Sequence, residues 1–146
     1  EGVNMVNAPS IAKERNIKVR EVRSGEAGAF QTLITLTVTT QTQTRSVAGT
    51  LFNDEPRLVE IKGIPIDAKL GPHMLYITNR DKPGLIGALG TLMGDAGINI
   101  ATFHLGRAEE AGDAIALIET DGETPPGMLR KITALEHVIQ AVPMRF

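Results

Sequence analysis

Pro83-Gly84-Leu85-Ile86-Gly87-Ala88-Leu89-Gly90-Thr91-Leu92-Met93-Gly94-Asp95-Ala96-Gly97 is the stretch whose periodicity decides the fold. Leu85, Ala88, Leu89, Leu92, Met93 and Ala96 recur at i, i+3, i+4, i+7, i+8 and i+11, one apolar face of an amphipathic helix over 83–96. Pro83 falls in the first turn and Gly97 just past the end, as helix termini prefer. Outward from this helix the rhythm changes. Strands are expected at 73–79, 98–106 and 112–121, then a second helix at 125–135 and a last strand at 137–146. Thr124 is a candidate N-cap for that second helix, with Pro125 behind it and Leu129, Ile132 and Leu135 facing inward.

The order βαββαβ makes two split β–α–β units, which predicts a ferredoxin-like sheet with both helices on one side. The first half has only strand periods after a short helix near 9–16, where Pro9 precedes good helix formers. Ile17, Val19 and Val22 among charged residues predict a strand over 17–23, and Ser24-Gly25-Glu26-Ala27-Gly28 a turn. From Thr32 to Thr40 the apolar Ile34, Leu36 and Val38 alternate with Thr35, Thr37 and Thr39, all β-branched except Leu36. Arg45–Phe52 alternates again, with Val47 and Leu51 on one side. Asn53-Asp54-Glu55-Pro56 is the turn into a strand over 57–61. Residues 62–67 are expected to bend and lead out through Leu70-Gly71-Pro72. The fold class is therefore α+β, a small antiparallel-sheet domain over 1–71 followed by the βαββαβ domain over 72–146.

At 146 residues the chain is long enough for two small cores, and 42% hydrophobic with 22% charged residues is a globular composition. A net charge of −2, one Tyr and no Trp argue against nucleic acid, which needs basic surface and stacking platforms. No run approaches a membrane span, and no signal pattern opens the chain. The lack of Cys excludes disulfides, thiolate metal sites and a cysteine nucleophile, and is compatible with a cytoplasmic setting. The chain opens Glu1-Gly2 with no Met and is expected to be a piece of something longer.

Chemistry is expected at Asn79-Arg80-Asp81-Lys82-Pro83-Gly84-Leu85. This loop runs from a strand into a helix, so the helix's unpaired N–H groups and positive dipole end face out of it and suit a carboxylate or phosphate. Gly84 lets a small ligand approach the backbone, and Asp81 offers an acceptor for an ammonium group. Asn99, beside Ile100 at a strand entry, can both donate and accept. A zwitterionic amino acid matches that set, although Asp81 as a plain helix cap and Asn99 as a turn residue fit the spacing as well.

Arg80-Asp81-Lys82-Pro83-Gly84-Leu85-Ile86, followed by Gly94-Asp95-Ala96-Gly97-Ile98-Asn99-Ile100-Ala101, resembles the signature of the ACT domain, a small-molecule sensor of amino-acid metabolism. Val6-Asn7-Ala8-Pro9, Gly49-Thr50-Leu51-Phe52 and Leu58-Val59-Glu60-Ile61-Lys62-Gly63 are similar to the intervening domain of the long form of 3-phosphoglycerate dehydrogenase. The resemblance implies L-serine bound between the ACT domains of two subunits, giving feedback inhibition of serine biosynthesis by a homo-oligomer. Asn79, Asp81, Pro83, Gly84 and Leu85 would come from one subunit, and Asn99 and Ile100 from the other. Asn79 departs from the pattern, where better-known members carry a ring-bearing side chain. The resemblance also implies an anion site in the intervening domain, with Arg57 and Lys69 as its candidates beside a reading of both as solvated surface charge.

No catalytic residues are expected in the chain itself. There is no G-x-G-x-x-G with a following acidic residue, so the NAD that the resemblance implies belongs to a catalytic part elsewhere. Gly84, Gly87 and Gly90 are spaced for helix packing. His73, His104 and His137 are isolated in sequence, so no metal site is expected. Two other readings stay open, the regulatory segment of an iron–sulfur L-serine dehydratase and a freestanding ACT sensor.

Overall fold

Two tight turns shape the first sheet. In the computed structural model, which describes residues 2–25, 30, 32–108 and 112–146, strands β1 (Ile34–Thr39), β2 (Thr44–Phe52), β3 (Glu55–Ile61) and β4 (Ile64–Lys69) lie in that order, all antiparallel. Asn53 and Asp54 have φ of 50° and 64° between the paired Phe52 and Glu55, and Lys62 and Gly63 have 55° and 77° between the paired Ile61 and Ile64. Two successive positive φ values make the mirror-image turn whose twist matches a hairpin. The second turn corrects the expectation that residues 62–67 lead out of the domain. They fold back instead as β4, and Leu70–Pro72 then joins β4 to the next strand.

Helix α1 (Ala8–Glu14) forms close to its expected place. The strand expected over 17–23 does not form, and those residues are exposed and join no sheet. Val22 is out of step with Ile17 and Val19, so no single apolar face exists to hold the segment on a sheet. The turn expected over Ser24–Gly28 lies largely outside the described residues.

The second half is β5 (His73–Arg80), α2 (Leu85–Asp95), β6 (Ile100–Arg107), β7 (Asp113–Thr120), α3 (Pro126–Thr133) and β8 (Val138–Arg145). Its sheet has the order β6-β7-β5-β8, antiparallel throughout, which is the ferredoxin-like arrangement. Leu75, Ile77, Ala116 and Ile118 on one face pack against Leu85, Leu89 and Met93 of α2 and Met128 and Ile132 of α3. Each fully buried aliphatic side chain there contributes about 1.5–3 kcal/mol.

The helix ends differ from expectation. Pro83 stands outside α2, and Gly84 takes the N-cap position at φ 96°. Gly97, at φ 70°, ends the helix as expected. Its N–H donates to the Gly94 carbonyl, and that of Ile98 to Met93, each at 2.9 Å, so two otherwise free carbonyls are satisfied. Ala88 and Ala96 are exposed, so the buried stripe of α2 is narrower than its periodicity implied. Pro125, not Thr124, takes the N-cap position of α3, without a side-chain cap. Met128 joins Ile132 in the core there, while Leu129 and Leu135 are only partly buried.

The other face of the second sheet is covered too. Ile64, Ile66 and Ala68 of β4 pack on Met74, Ile115 and Leu117. This explains why β7 is buried on both sides from Ala114 to Ile118. Gly106 of β6 makes the approach possible, since a Cβ there would stand 2.6 Å from the Pro65 carbonyl oxygen.

Candidate functional site

Side chains alternate along β5, and Leu75 and Ile77 face the helices, so Asn79 and Asp81 share that side. Asn79 is 2% exposed. Its Nδ2 donates to the Arg80 carbonyl at 2.9 Å, which fixes the amide's orientation, and its buried Oδ1 has no partner among the described residues. A buried acceptor left alone costs about 1–3 kcal/mol, so a donor from a ligand would relieve it.

Asp81 lies just past the strand, and its N–H donates to the Gly112 carbonyl at 2.8 Å. Its carboxylate does not cap α2, which has no side-chain cap. Instead Asp81 Oδ2 is 3.0 Å from Arg107 Nη2, with side chains 16% and 57% exposed respectively. Asn79 and Arg107 are both register partners of Ala114, so the three residues form one row across β5, β7 and β6. Beside this row, Gly84 and the start of α2 are open, since a Cβ at Gly84 or Gly87 would meet nothing within 4 Å. The glycines expected to pack a helix therefore have no neighbour among the described residues at Gly87 and Gly90.

The structure brings Asn79, Asp81, Gly84 and Leu85 to one end of the sheet and leaves Asn99 and Ile100 at the other. Ile100 begins β6 and Arg107 ends it, seven steps of about 3.3 Å, or roughly 23 Å. Asn99 Nδ2 donates to Asp121 Oδ2 at 2.8 Å, and the Asp121 N–H points back to the Asn99 carbonyl at 3.4 Å.

Arg57 and Lys69 are register partners across β3 and β4. Arg57 pairs with Asp67 at 2.6 Å and Lys69 with Glu55 at 2.7 Å, so each cation already has a carboxylate on its own sheet. On the seam between the sheets, Tyr76 and His104 flank Leu117, and the Tyr76 hydroxyl and His104 Nε2 are buried without hydrogen-bond partners among the described residues. Lys62 Nζ lies 5.5 Å from the centre of the Tyr76 ring. Burial, more than the nearby Arg45, holds the Lys62 pKa below its ordinary value, and burial raises that of Tyr76. Among the described residues no group of three or more His, Cys, Asp or Glu side chains is placed to hold a metal ion. Every described strand pair is antiparallel.

Residues 1–62 match the D-3-phosphoglycerate dehydrogenase intervening domain, and residues 73–137 match the ACT domain. The chain belongs with the intervening and ACT domains of the D-3-phosphoglycerate dehydrogenases. Among curated relatives, the D-3-phosphoglycerate dehydrogenase of Synechocystis sp. is 34% identical over 146 residues, covering 99% of this chain. Those of Bacillus subtilis and Methanocaldococcus jannaschii are 35% and 33% identical, each over 94% of it. The chain spans 26% of the length of each of these relatives. These intervening and ACT domains are regulatory parts of such dehydrogenases. No helix in the described residues is long and apolar enough to cross a membrane.

Arg107 was not legible as a site residue. It ends a strand with no companion at a telling spacing, and only the sheet register sets it beside Asp81.

Proposed function

We propose that this chain is the amino-acid-sensing part of an NAD-dependent D-3-phosphoglycerate dehydrogenase, binding L-serine between two ACT domains and so restraining the catalytic part. Residues 1–71 and 72–146 act as its two units. The observation that carries this reading is the separation of Asn79 and Asp81 from Asn99 along β6, which no movement within one domain can close.

Strand β6 is at the edge of its sheet, with a free row of backbone groups. Two copies pairing antiparallel through β6, about a two-fold axis near Phe103 and His104, set Ile100 of one copy opposite Arg107 of the other. That arrangement delivers Asn99 and the Ile100 backbone to the Asn79–Asp81 end. Each pair of copies then has two equivalent sites, each built from both chains. Serine favours the paired arrangement because only that arrangement completes its contacts. The pairing of Arg57 and Lys69 with carboxylates weakens the case for an anion site at those two residues, which then require displacement of Asp67 and Glu55.

Titration of the purified chain with L-serine in a calorimeter, with glycine and D-serine for comparison, tests the reading. Saturable and stereoselective heat is expected, together with sedimentation as a dimer. A monomer at high concentration, or no heat with L-serine, would remove the two-subunit site.

A further inference from the structure

The geometry points to Arg107 as the group that holds the α-carboxylate of the amino-acid effector, with Asp81 and the free Oδ1 of Asn79 taking its ammonium. This rests on the reading of the chain as an amino-acid sensor, and names the part of the ligand that each side chain recognises.

Asn79 offers a ligand a buried acceptor, its Oδ1, which has no partner among the described residues, while one Nδ2 hydrogen is committed to the Arg80 carbonyl. Asp81 is an acceptor as well when ionised. The Asn79 Oδ1 and the Asp81 carboxylate therefore suit the ammonium end of a zwitterion, and Asp81 repels its carboxylate. A cation is needed for the other end, and among the described residues Arg107 places its guanidinium there, 3.0 Å from Asp81. It stands in the same row as Asn79, separated from it by Ala114, and shares the helix-facing side of the sheet. Its planar fork matches a carboxylate in two parallel bonds.

In the chain without ligand, Asp81 and Arg107 satisfy one another. An arriving zwitterion inserts between them, ammonium to Asp81 and carboxylate to Arg107, so one ion pair is exchanged for two without stranding a charge. Arg107 is 57% exposed and can swing aside, whereas Asp81 is 16% exposed and held through its own N–H. Neutral or purely cationic ligands gain nothing from Arg107, and a cation must also compete with it for Asp81. The site accordingly selects molecules carrying both charges.

The test is calorimetric titration of the wild-type chain, Arg107→Gln and Arg107→Lys with L-serine and with L-serinamide, which keeps the ammonium and hydroxyl but has no carboxylate. Wild type is expected to prefer L-serine by tenfold or more. Arg107→Gln should weaken L-serine about ten- to a hundredfold and bind L-serinamide as well as wild type or better, so that the preference collapses. Arg107→Lys should retain most of it. Unchanged L-serine affinity in Arg107→Gln would overturn the assignment and give the carboxylate to the α2 N-terminus. Equal losses for both ligands would overturn it in favour of a structural role. A wild-type chain that binds no L-serine would defeat the sensor reading itself, before any variant is compared.

Discussion

Gly106 lies against Pro65 so closely that a Cβ on the glycine would stand 2.6 Å from the proline's carbonyl oxygen and 3.0 Å from Ile64 Cγ2. The contact joins the edge strand of one sheet to the last strand of the other. Backbone cannot yield there as a flexible side chain could. Gly106→Ala is therefore expected to destabilise the chain by about 1–3 kcal/mol through overpacking, measured as a lower urea midpoint. A midpoint equal to wild type would mean that β4 is free to lift from the second sheet.

Asp81→Ala should weaken L-serine about ten- to a hundredfold, the loss of one charge-assisted hydrogen bond of about 1.5–3 kcal/mol. Since the Arg107 side chain left without its partner is 57% exposed and stays hydrated, the thermal midpoint should move little. Affinity that stays at the wild-type value would take Asp81 out of the site.

Leu89 and Ile132 are fully buried between the helices and the sheet, whereas Leu36 on β1 is 63% exposed. Leu89→Ala or Ile132→Ala should each cost about 2–5 kcal/mol, and Leu36→Ala less than about 0.5 kcal/mol. Equilibrium denaturation separates the two classes. A large loss at Leu36 would show that the β1 face is covered in solution.

Tyr76 supplies a pH dependence. Its pKa is raised above the ordinary value of 10.0, chiefly by burial, so the folded chain holds the phenol proton more tightly than the unfolded chain. Its contribution is complete below about pH 10 and is lost as pH rises from there through the folded pKa. Lys62 is shifted downward and acts in the opposite sense, its burden easing as pH rises toward 10.5. Tyr76→Phe should therefore flatten the alkaline fall. Because the buried hydroxyl has no partner among the described residues, the same change should be neutral or stabilising by about 1 kcal/mol at pH 7. A clear loss at pH 7 would reveal a partner for that hydroxyl.

Much of this fold follows from local pattern. The spacing of Leu85, Leu89 and Met93, and the alternation of Ile34, Leu36 and Val38, were enough to place a helix and a strand. What escaped was set by partners distant in sequence. Residues 62–67 look like an exit, because Gly63 and Pro65 are turn-forming types, yet Lys62 accepts φ 55° and the chain returns as β4. The run Ala114-Ile115-Ala116-Leu117-Ile118 has no polar alternation, which signals a strand covered on both faces but not what covers it. Asn79, Asp81 and Asn99 stood out by residue type, while the sheet decides that the first two share one end and Asn99 lies at the other. Arg107 became visible only through its register with Ala114.

Adjacent residues of β6 serve opposite neighbours, Gly106 meeting Pro65 on one side and Arg107 meeting Asp81 on the other. Slippage of the strand by a single residue would drive a guanidinium into the seam and leave Asp81 facing a bare backbone. On the proposed reading, a ligand at Asp81 would tilt β6 as a stiff bar rather than slide it. Whatever is communicated to the first sheet has the character of a change in angle, with the Gly106–Pro65 contact as its fulcrum.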